Sequence, residues 1–321
     1  MRPSLALFLL QTTVALAQTR SSKRGLVSVA TKHNEQDDRI WVQGGSDLTW
    51  YYNYQAMPVS AYATTSADKP ATELEFVPML WGAIDDTSFL DAVTRLSDGG
   101  GSVKHVLGFN EPDGPKSTGG SDIDPKKAAE VWLKNIEPLR EKGIRVGLPA
   151  CTGGEGGLPW LQQFLAECSK LISKGSETRN CSYDFVAIHW YGNFEGLASH
   201  LGTYSAAFPN TSQWITEFAF DHQDLEATQS FFNMSLEYFD RLDNVERYSY
   251  FGSFRSAESN VGPDAVMLNN DGQLTDIGSW YLGGAATGVD PRSGHDSAGV
   301  RTQSSMLSLL ALVVAGALML S

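Results

Sequence analysis

The most constraining feature of this 321-residue chain is a strand-like segment that recurs eight times. Each segment is a short run rich in apolar, β-branched and aromatic residues, and successive runs start 24 to 41 residues apart. Most gaps between the runs are long enough for a helix, so the pattern predicts strands that alternate with helices. The runs cover residues 25–30, 50–54, 74–80, 103–109, 144–149, 183–189, 213–218 and 247–252.

The clearest predicted helix covers residues 124–143, where Asp124 is a suitable N-cap, Pro125 follows at the first helical position and Gly143 ends the pattern. Residues 158–172 and 225–242 show similar helical spacing. Eight strand–helix units in about 250 residues predict an α/β chain folded as a single-domain TIM (β/α)8 barrel. A doubly wound open sheet is the alternative, but it usually has fewer strands and often a phosphate-binding first turn, which is missing here.

Both ends of the chain resemble targeting segments. Residues 1–17 combine a basic residue, an apolar run and a small-residue cleavage site, which predicts a secretory signal peptide. The last sixteen residues are apolar but short for a membrane span, and a polar spacer and a small triplet precede them. This order indicates a GPI attachment signal at Ser297, with residues 298–321 removed. Ser293 and Gly294 are nearby alternatives, and a plain tail anchor is the competing interpretation.

We expect a catalytic domain at residues 25–290, between the two targeting segments. The Lys23-Arg24 pair just before it is a weak signal for proteolytic processing at a dibasic site. The whole chain has a formal net charge of −13, and removal of both ends would make it more acidic. Such a surface argues against nucleic acid as a partner and is compatible with a neutral polysaccharide. Sequons at Asn180, Asn210 and Asn233 agree with a secreted glycoprotein.

The three cysteines point to one disulfide. Cys168 and Cys181 lie between a helical pattern and a strand, and in a secreted chain we expect them to pair, which leaves Cys151 free. Pairing of Cys151 with either of the others is an open alternative. No Cys/His spacing suggests zinc and there is no Gly-rich phosphate loop, so we expect neither a metal nor a cofactor.

Two of the predicted strands end in carboxylates. Asn110 and Glu111 close the fourth run, in VLGFNEPDGP, and Glu217 stands alone among apolar neighbours in the seventh run, in WITEFA. Because functional residues of a TIM barrel sit at the C-terminal ends of its strands, both carboxylates should face one central cleft. Such a pair suits glycoside hydrolysis, with a spacing of about 5–5.5 Å for retention of configuration and a wider spacing for inversion.

Aromatic residues cluster at the same predicted strand ends. Their flat faces can stack on sugar rings while polar edges meet hydroxyls, so as a set they favour a carbohydrate cleft. For any single one of them, a position in the hydrophobic core is the competing expectation. The set comprises Trp50, Tyr51, Trp81, Trp190 and Tyr191.

The segments GFNEPD, DFVAIHWYG and WITEFA, in this order, resemble the catalytic domain of glycoside hydrolase family 128, the fungal alkali-sensitive-linkage-protein-like group. The resemblance runs from about residue 23 to residue 281, and GLPWLQQFLAEC with the following Cys181 also fits it. It implies a metal-independent, retaining endo-β-1,3-glucanase with Glu111 as the acid/base and Glu217 as the nucleophile.

The resemblance also implies that Asn110 contacts the sugar hydroxyl beside the anomeric carbon, and that His189, Trp190 and Tyr191 line the cleft. One departure is Phe251, a candidate binding residue at the end of the eighth strand, where many relatives in the wider clan have Trp.

The expected function is therefore cleavage of cell-wall β-glucan by a monomer that contacts the membrane only through a GPI anchor. Three alternatives stay open from the sequence: hydrolysis of another β-linked glycan, transglycosylation, and a surface-anchored glucan-binding protein with little catalysis. A structural wall glycoprotein is disfavoured, because it would not need the two carboxylates and long Ser/Thr-rich stalks are absent.

Overall fold

The computed structural model describes residues 20–29, 32, 34–62, 74–99, 101–173 and 176–294. The predicted signal peptide, the Ser297 anchor site and the 298–321 propeptide lie outside these residues. Each of the eight predicted strand runs overlaps an observed strand, which confirms that part of the prediction. The strands are β1 (Arg24–Val27), β2 (Trp50–Tyr52), β3 (Glu75–Phe76), β4 (His105–Val106), β5 (Arg145–Cys151), β6 (Phe185–Tyr191), β7 (Ser212–Ala219) and β8 (Val245–Tyr250).

All of these strands pair in parallel, in the order β3-β2-β1-β8-β7-β6-β5-β4. The two edge strands are short, and they meet just beyond their ends through a parallel bridge between Met79 and Leu107. Backbone hydrogen bonds from Leu107 to Pro78 and from Leu80 to Leu107 strengthen this junction, at 2.9 and 3.1 Å. The sheet is therefore closed, and the predicted TIM barrel is confirmed.

Helices follow most of the strands, as the alternation predicts. Asp124 caps its helix by accepting hydrogen bonds from the backbone amides of Lys126 and Lys127. The predicted 124–143 helix is divided at Ile136, because Pro138 has no amide hydrogen to continue the ladder. The described helices are α1 (Asp38–Trp41), α2 (Ser88–Asp98), α3 (Pro125–Asn135), α4 (Glu137–Glu141), α5 (Gly157–Ile172), α6 (Phe194–Ala207), α7 (Leu225–Arg241) and α8 (Asp276–Tyr281).

Charged side chains close the N-terminal end of the barrel, opposite the face where active sites lie. The Arg145 guanidinium makes two hydrogen bonds to the Glu246 carboxylate, at 2.5 and 2.9 Å. The Arg247 guanidinium lies 4.4 Å from the ring centre of Trp214 and donates to Glu75 at 2.6 Å, and Glu75 also contacts His105 at 2.5 Å. Without these ion pairs, the charged groups would lie against the aromatic core of the barrel with no opposite charge beside them.

The first strand begins earlier than the sequence suggests. Arg24 is the first residue of β1, its side chain is buried, and it binds Asp47 and the carbonyl oxygens of Trp280 and Tyr281, each at 3.1 Å. The expected domain boundary at residue 25 therefore lies inside the barrel, and cleavage after Arg24 would remove one of its structural residues.

The cysteine pairing follows the expectation. A disulfide joins Cys168 on α5 to Cys181 before β6, and Cys151 is a free, buried thiol at the end of β5. No helix in the described part of the chain is long and apolar enough to cross a membrane.

Candidate active site

The fourth strand leaves the regular sheet just before its carboxylate. Asn110 forms a single parallel bridge with Ala150, and the Glu111 amide donates to the Ala150 carbonyl at 2.6 Å. The backbone of Glu111 then turns into the left-handed region, with φ of 41°, which is uncommon for a residue with a side chain. Pro112 follows this turn. The regular strand therefore ends before Glu111, and the backbone turn at Glu111 directs its side chain into the cleft.

The second carboxylate is held differently. Glu217 lies within β7, is 5% exposed, and stands opposite His189 of β6 in the parallel register. Two phenol groups donate to its two oxygens: Tyr54 to Oε1 at 2.7 Å and Tyr191 to Oε2 at 2.5 Å. A phenol donates readily to an ionised carboxylate, so these two hydrogen bonds act to lower the pKa of Glu217, although burial outweighs them and its pKa is raised overall.

The two carboxylates lie close together at the C-terminal face of the barrel. One oxygen of Glu111, one oxygen of Glu217 and one ring nitrogen of His189 all lie within 4.8 Å of one another. His189 is fully buried beneath both, with Nδ1 3.0 Å from Glu111 Oε1 and Nε2 3.4 Å from Glu217 Oε1. The short carboxylate separation matches the retaining arrangement and leaves little room for the water that inversion requires.

The charges of this cluster influence one another. Burial raises the pKa of Glu217, as does repulsion from Glu111, while His189 and the phenols of Tyr191 and Tyr54 act to lower that pKa. For His189, burial acts to lower the pKa, but attraction to Glu217 and the hydrogen bond with Glu111 outweigh it and the pKa is raised. His189 therefore holds a proton more readily than a free imidazole does, next to a carboxylate that has its own hydrogen-bond donors.

In the described part of the chain, the same three side chains form a group that could hold a metal ion. Each ring nitrogen of His189 already faces a carboxylate oxygen. Nδ1 of His189 is in hydrogen-bond contact with Glu111, whereas Nε2 makes no hydrogen bond with a described residue. A metal ion bound to Nδ1 would have to replace that contact.

A cleft of about 1080 Å³ opens above the two glutamates. Its aromatic walls come from different strand ends: Trp81 follows β3 and is 37% exposed, Trp190 is the last residue but one of β6, and Phe251 follows β8 and packs edge-on against Tyr191. Trp190 lies tightly over Gly196, where an added Cβ would come within 2.3 Å of its ring. The cleft therefore has fixed flat surfaces of the kind on which sugar rings stack.

The structure brings most of the expected site residues together but not all of them. Asn110, Glu111, Trp81, Trp190, Tyr191, Glu217 and Phe251 line the cleft. His189, expected in the lining, lies below it instead.

The expectation that Trp50 and Tyr51 contact a sugar in the cleft is wrong. Trp50 starts β2 and therefore lies at the opposite end of the barrel from the cleft, fully buried against Trp214. Tyr51 is 2% exposed and packs on Tyr62 and Phe76. Both belong to the core.

Tyr54 is a functional candidate that the sequence interpretation missed. It follows β2 directly, so the rule that strand ends carry function would have drawn attention to it. Its backbone has φ of 61°, in the left-handed region, and this turn aims the phenol at Glu217.

The expected glycosylation sites differ in accessibility. Asn180 and Asn210 are exposed and lie in loops, whereas Asn233 is half-buried within α7. Among the alternatives for the anchor site, Ser293 is tied into the domain by hydrogen bonds with Asn269 and Asp290. Glycan attachment and the anchor position stay predictions.

Comparison with known proteins identifies a family. The family model described as glycosyl hydrolase catalytic core matches residues 25–281. Alkali-sensitive linkage protein 1 of Schizosaccharomyces pombe is 29% identical over 271 residues, which cover 82% of this chain and 44% of that protein. The chain thus corresponds to less than half of the length of this relative.

Solved structures give the same family and cover nearly the whole of each neighbour. A subgroup II endo-β-1,3-glucanase from Pseudomonas viridiflava is 25% identical with a TM-score of 0.65, over 84% of this chain and 100% of that one. A subgroup III curdlan-specific exo-β-1,3-glucanase from Blastomyces gilchristii is 27% identical with a TM-score of 0.61, over 82% and 99%.

A third similar structure has a different described role. A subgroup VII oligosaccharide-binding protein from Cryptococcus neoformans is 25% identical with a TM-score of 0.59, over 83% of this chain and 96% of that one. The family thus includes endo-acting, exo-acting and binding proteins. With a closed (β/α)8 barrel, paired glutamates at the ends of β4 and β7, and a matching family model over most of its length, this chain belongs to glycoside hydrolase family 128.

Proposed function

We propose that this chain is a retaining endo-β-1,3-glucanase that acts on cell-wall glucan at the cell surface. The observation that carries the proposal is the pair of carboxylates: oxygens of Glu111 and Glu217 lie within 4.8 Å, at the base of an aromatic-walled cleft. Similarity to endo- and exo-β-1,3-glucanases supports the choice of linkage.

The geometry suggests how the two glutamates divide the reaction. In the first step Glu217 attacks the anomeric carbon, Glu111 gives its proton to the leaving glycosidic oxygen, and a glycosyl ester forms on Glu217. In the second step Glu111, now a carboxylate, takes a proton from water, and the resulting hydroxide displaces Glu217 from the anomeric carbon. Each step inverts that carbon, so the product keeps the starting configuration.

Neighbouring groups support these roles. The phenols of Tyr54 and Tyr191 hold both oxygens of Glu217 in place before attack. Asn110 lines the cleft beside Glu111, and its Oδ1 has no hydrogen-bond partner in the described part of the chain. That oxygen is available to accept from the sugar hydroxyl next to the anomeric carbon.

The shape of the cleft supports internal attack on a chain. It reaches from Trp81 and Thr118, near β3 and β4, past the glutamates to Asp221 and Asn260, near β7 and β8. Sugar units can therefore lie on both sides of the cleaved bond. An exo-acting enzyme would need one of these directions to be blocked.

The test is hydrolysis of linear β-1,3-gluco-oligosaccharides, followed by NMR of the newly formed anomeric centre. We expect β-configured products of internal cleavage from the wild type, and losses of several orders of magnitude in Glu111→Gln and Glu217→Gln. Released α-configured products would refute retention, and monosaccharide release from one chain end alone would refute the endo mode.

An oligosaccharide-binding protein is the second candidate, because one similar structure is described as such a protein. The presence of both glutamates, with a phenol donor on each oxygen of Glu217, favours catalysis here. Calorimetric binding without product formation by the wild type would decide for the second candidate. Transfer of the glycosyl unit to a sugar acceptor would be recognised by products longer than the substrate.

The cell-surface location is the sequence-based part of the proposal. It is supported by the predicted signal peptide and the Ser297 attachment signal. Release of the full-length expressed protein from a membrane fraction by a phosphatidylinositol-specific phospholipase is the expected result. Recovery of the protein in the medium without such treatment would refute anchoring.

A further inference from the structure

A second cavity of about 570 Å³ lies beside the catalytic cleft, and we call it the side pocket. The side pocket is formed where the ends of β2 and β3 meet the start of α2 and the loop between β4 and α3. Tyr54, Gln55 and Trp81 line both the side pocket and the cleft. Since Tyr54 also donates to Glu217, the side pocket begins one side chain away from the reacting centre.

The side pocket has the composition of a small-ligand site. Its floor is made of buried apolar residues, among them Leu80, Phe89 and Ile123, and the indole of Trp81 forms the wall it shares with the cleft. Polar groups stand around this floor: Lys116 and Asp122 are exposed lining residues whose side chains make no hydrogen bond or ion pair with any described residue. An apolar surface with a few polar groups is typical of ligand pockets of this size.

One buried polar atom provides independent support for a ligand. The Oγ of Ser121 is buried and has no hydrogen-bond partner in the described part of the chain, and Ser121 lines the side pocket. A buried hydroxyl without a partner is costly unless a ligand or a water molecule satisfies it. The backbone connects this position to the catalytic loop, because the Ser121 amide donates to the Asn110 carbonyl at 3.0 Å.

We propose that the side pocket binds a glucosyl residue of the same glucan molecule whose bond lies between Glu111 and Glu217, with the chain crossing over the Trp81 indole. The proposal rests on the proposed function. Its ligand is chosen because the side pocket is continuous with the cleft through three shared residues, one of them an exposed tryptophan suited to sugar stacking. The glucosyl residue can belong to the main chain or to a branch, because both offer the same sugar ring and hydroxyl groups to the side pocket.

The test blocks the side pocket without touching the cleft. Ala83 is an exposed lining residue of the side pocket and is absent from the cleft lining, so Ala83→Trp fills the side pocket with an indole. Met234→Trp is the matched control, because Met234 is exposed on α7, on the outside of the barrel. The measured quantity is the ratio of kcat/KM for a β-1,3-linked octasaccharide to that for the trisaccharide, compared among the three proteins.

We expect Ala83→Trp to lower this ratio by about tenfold relative to the wild type, the effect of losing one stacked sugar, and Met234→Trp to leave it unchanged. Oligosaccharides with a single β-1,6-linked glucosyl branch are tested in parallel. A loss with linear chains assigns the side pocket to the main chain, and a loss only with branched chains assigns it to a branch. Ratios within twofold of the wild type for both substrates would overturn the proposal.

Failure of the proposed function can be told apart from failure of this inference. The same oligosaccharides are titrated by calorimetry into Glu111→Gln with and without Ala83→Trp. If the wild type cleaves none of them but the affinity still falls about tenfold when the side pocket is filled, the glucanase assignment is wrong and the side pocket stands. Equal affinities with and without Ala83→Trp would refute the side pocket, whatever the enzyme cleaves.

Discussion

The tyrosines on Glu217 should set the acid side of the pH–rate profile. Tyr191 and Tyr54 donate to the two oxygens of the carboxylate, and both act to lower a pKa that burial raises. A hydrogen bond to a charged group contributes about 1.5–3 kcal/mol, and one pKa unit corresponds to about 1.4 kcal/mol. Removing one phenol oxygen should therefore raise the pKa of Glu217 by about 1–2 units.

The direction of the change in the pH–rate profile follows from the proposed role of Glu217. If it must be ionised to attack, activity is lost as pH falls through its pKa, so the acid limb of kcat/KM marks that pKa. Tyr191→Phe and Tyr54→Phe should each move this limb to higher pH by about 1–2 units. The double variant should move it further, because the phenols donate to different oxygens.

The assay is initial-rate cleavage of one soluble β-1,3-gluco-oligosaccharide across the pH range in buffers of constant ionic strength. Tyr250→Phe is the matched control: it removes a buried phenol oxygen that has no hydrogen-bond partner in the described chain, and its acid limb should coincide with that of the wild type. An acid limb that stays within a few tenths of a unit in both single variants would show that Glu217 is not the ionised nucleophile.

Other predictions concern stability. The pKa of Glu246 is lowered to about 2, because bonding to Arg145 outweighs burial, so its stabilisation is present above about pH 4.5 and is lost as pH falls towards 2. Glu246→Gln should cost about 1–2 kcal/mol at pH 7, reduced for the 31% exposure of the side chain, and little at pH 2.5; urea unfolding at both pH values measures this. Reduction of the Cys168–Cys181 bond, which closes a short loop, should lower the free energy of unfolding by about 3 kcal/mol in urea titrations with and without a reductant, and an unchanged midpoint would contradict this. Asp124→Ala should cost about 1 kcal/mol because two amides of α3 lose their acceptor, whereas Asp124→Asn should retain most of the stability.

The strands and the two glutamates could be predicted because their signals are local. A strand is visible as a short run of apolar and β-branched residues, and in a parallel barrel the end of each run is known to reach one face. Glu111 and Glu217 could therefore be placed together although they are 106 residues apart in the sequence. Asp124 could be recognised as an N-cap from its own neighbourhood.

The roles of the aromatic residues were harder to predict from the sequence than the positions of the strands. Trp50 starts a strand and fills the core, whereas Trp190 stands near the end of one and faces the cleft. The difference depends on which end of a strand a residue occupies. The predicted run 50–54 already starts at Trp50, which places this residue at the end of the barrel away from the cleft, so the expectation of a sugar contact there was wrong although the strand itself was predicted.

Tyr54 and Arg24 illustrate a second limit. Each acquires its role through a partner more than 20 residues away, Glu217 for Tyr54 and Asp47 for Arg24. Contacts of this kind depend on the completed barrel, so the sequence can place Tyr54 near a strand end but cannot identify its partner. His189 belongs to the same class: its place beneath both glutamates follows from the pairing of β6 with β7 and the bridge beyond β4.

The two glutamates differ in how their backbones are held, and this difference suits their different tasks. Glu217 lies inside a regular strand with both oxygens fixed by phenols, so the proposed attack on carbon can proceed from one geometry. Glu111 lies past the end of β4 at a left-handed position, within a loop held by backbone bonds to Ala150 and Ser121. A proton donor must serve the departing oxygen first and a water molecule afterwards, and it must change its protonation state between these steps. Among the described residues, the Glu111 side chain makes a hydrogen-bond contact with His189, whose own pKa depends on the charge of Glu217. If Glu217 becomes a neutral ester, as proposed, the attraction that holds a proton on His189 weakens, so a change of charge on Glu217 reaches Glu111 through a single buried ring.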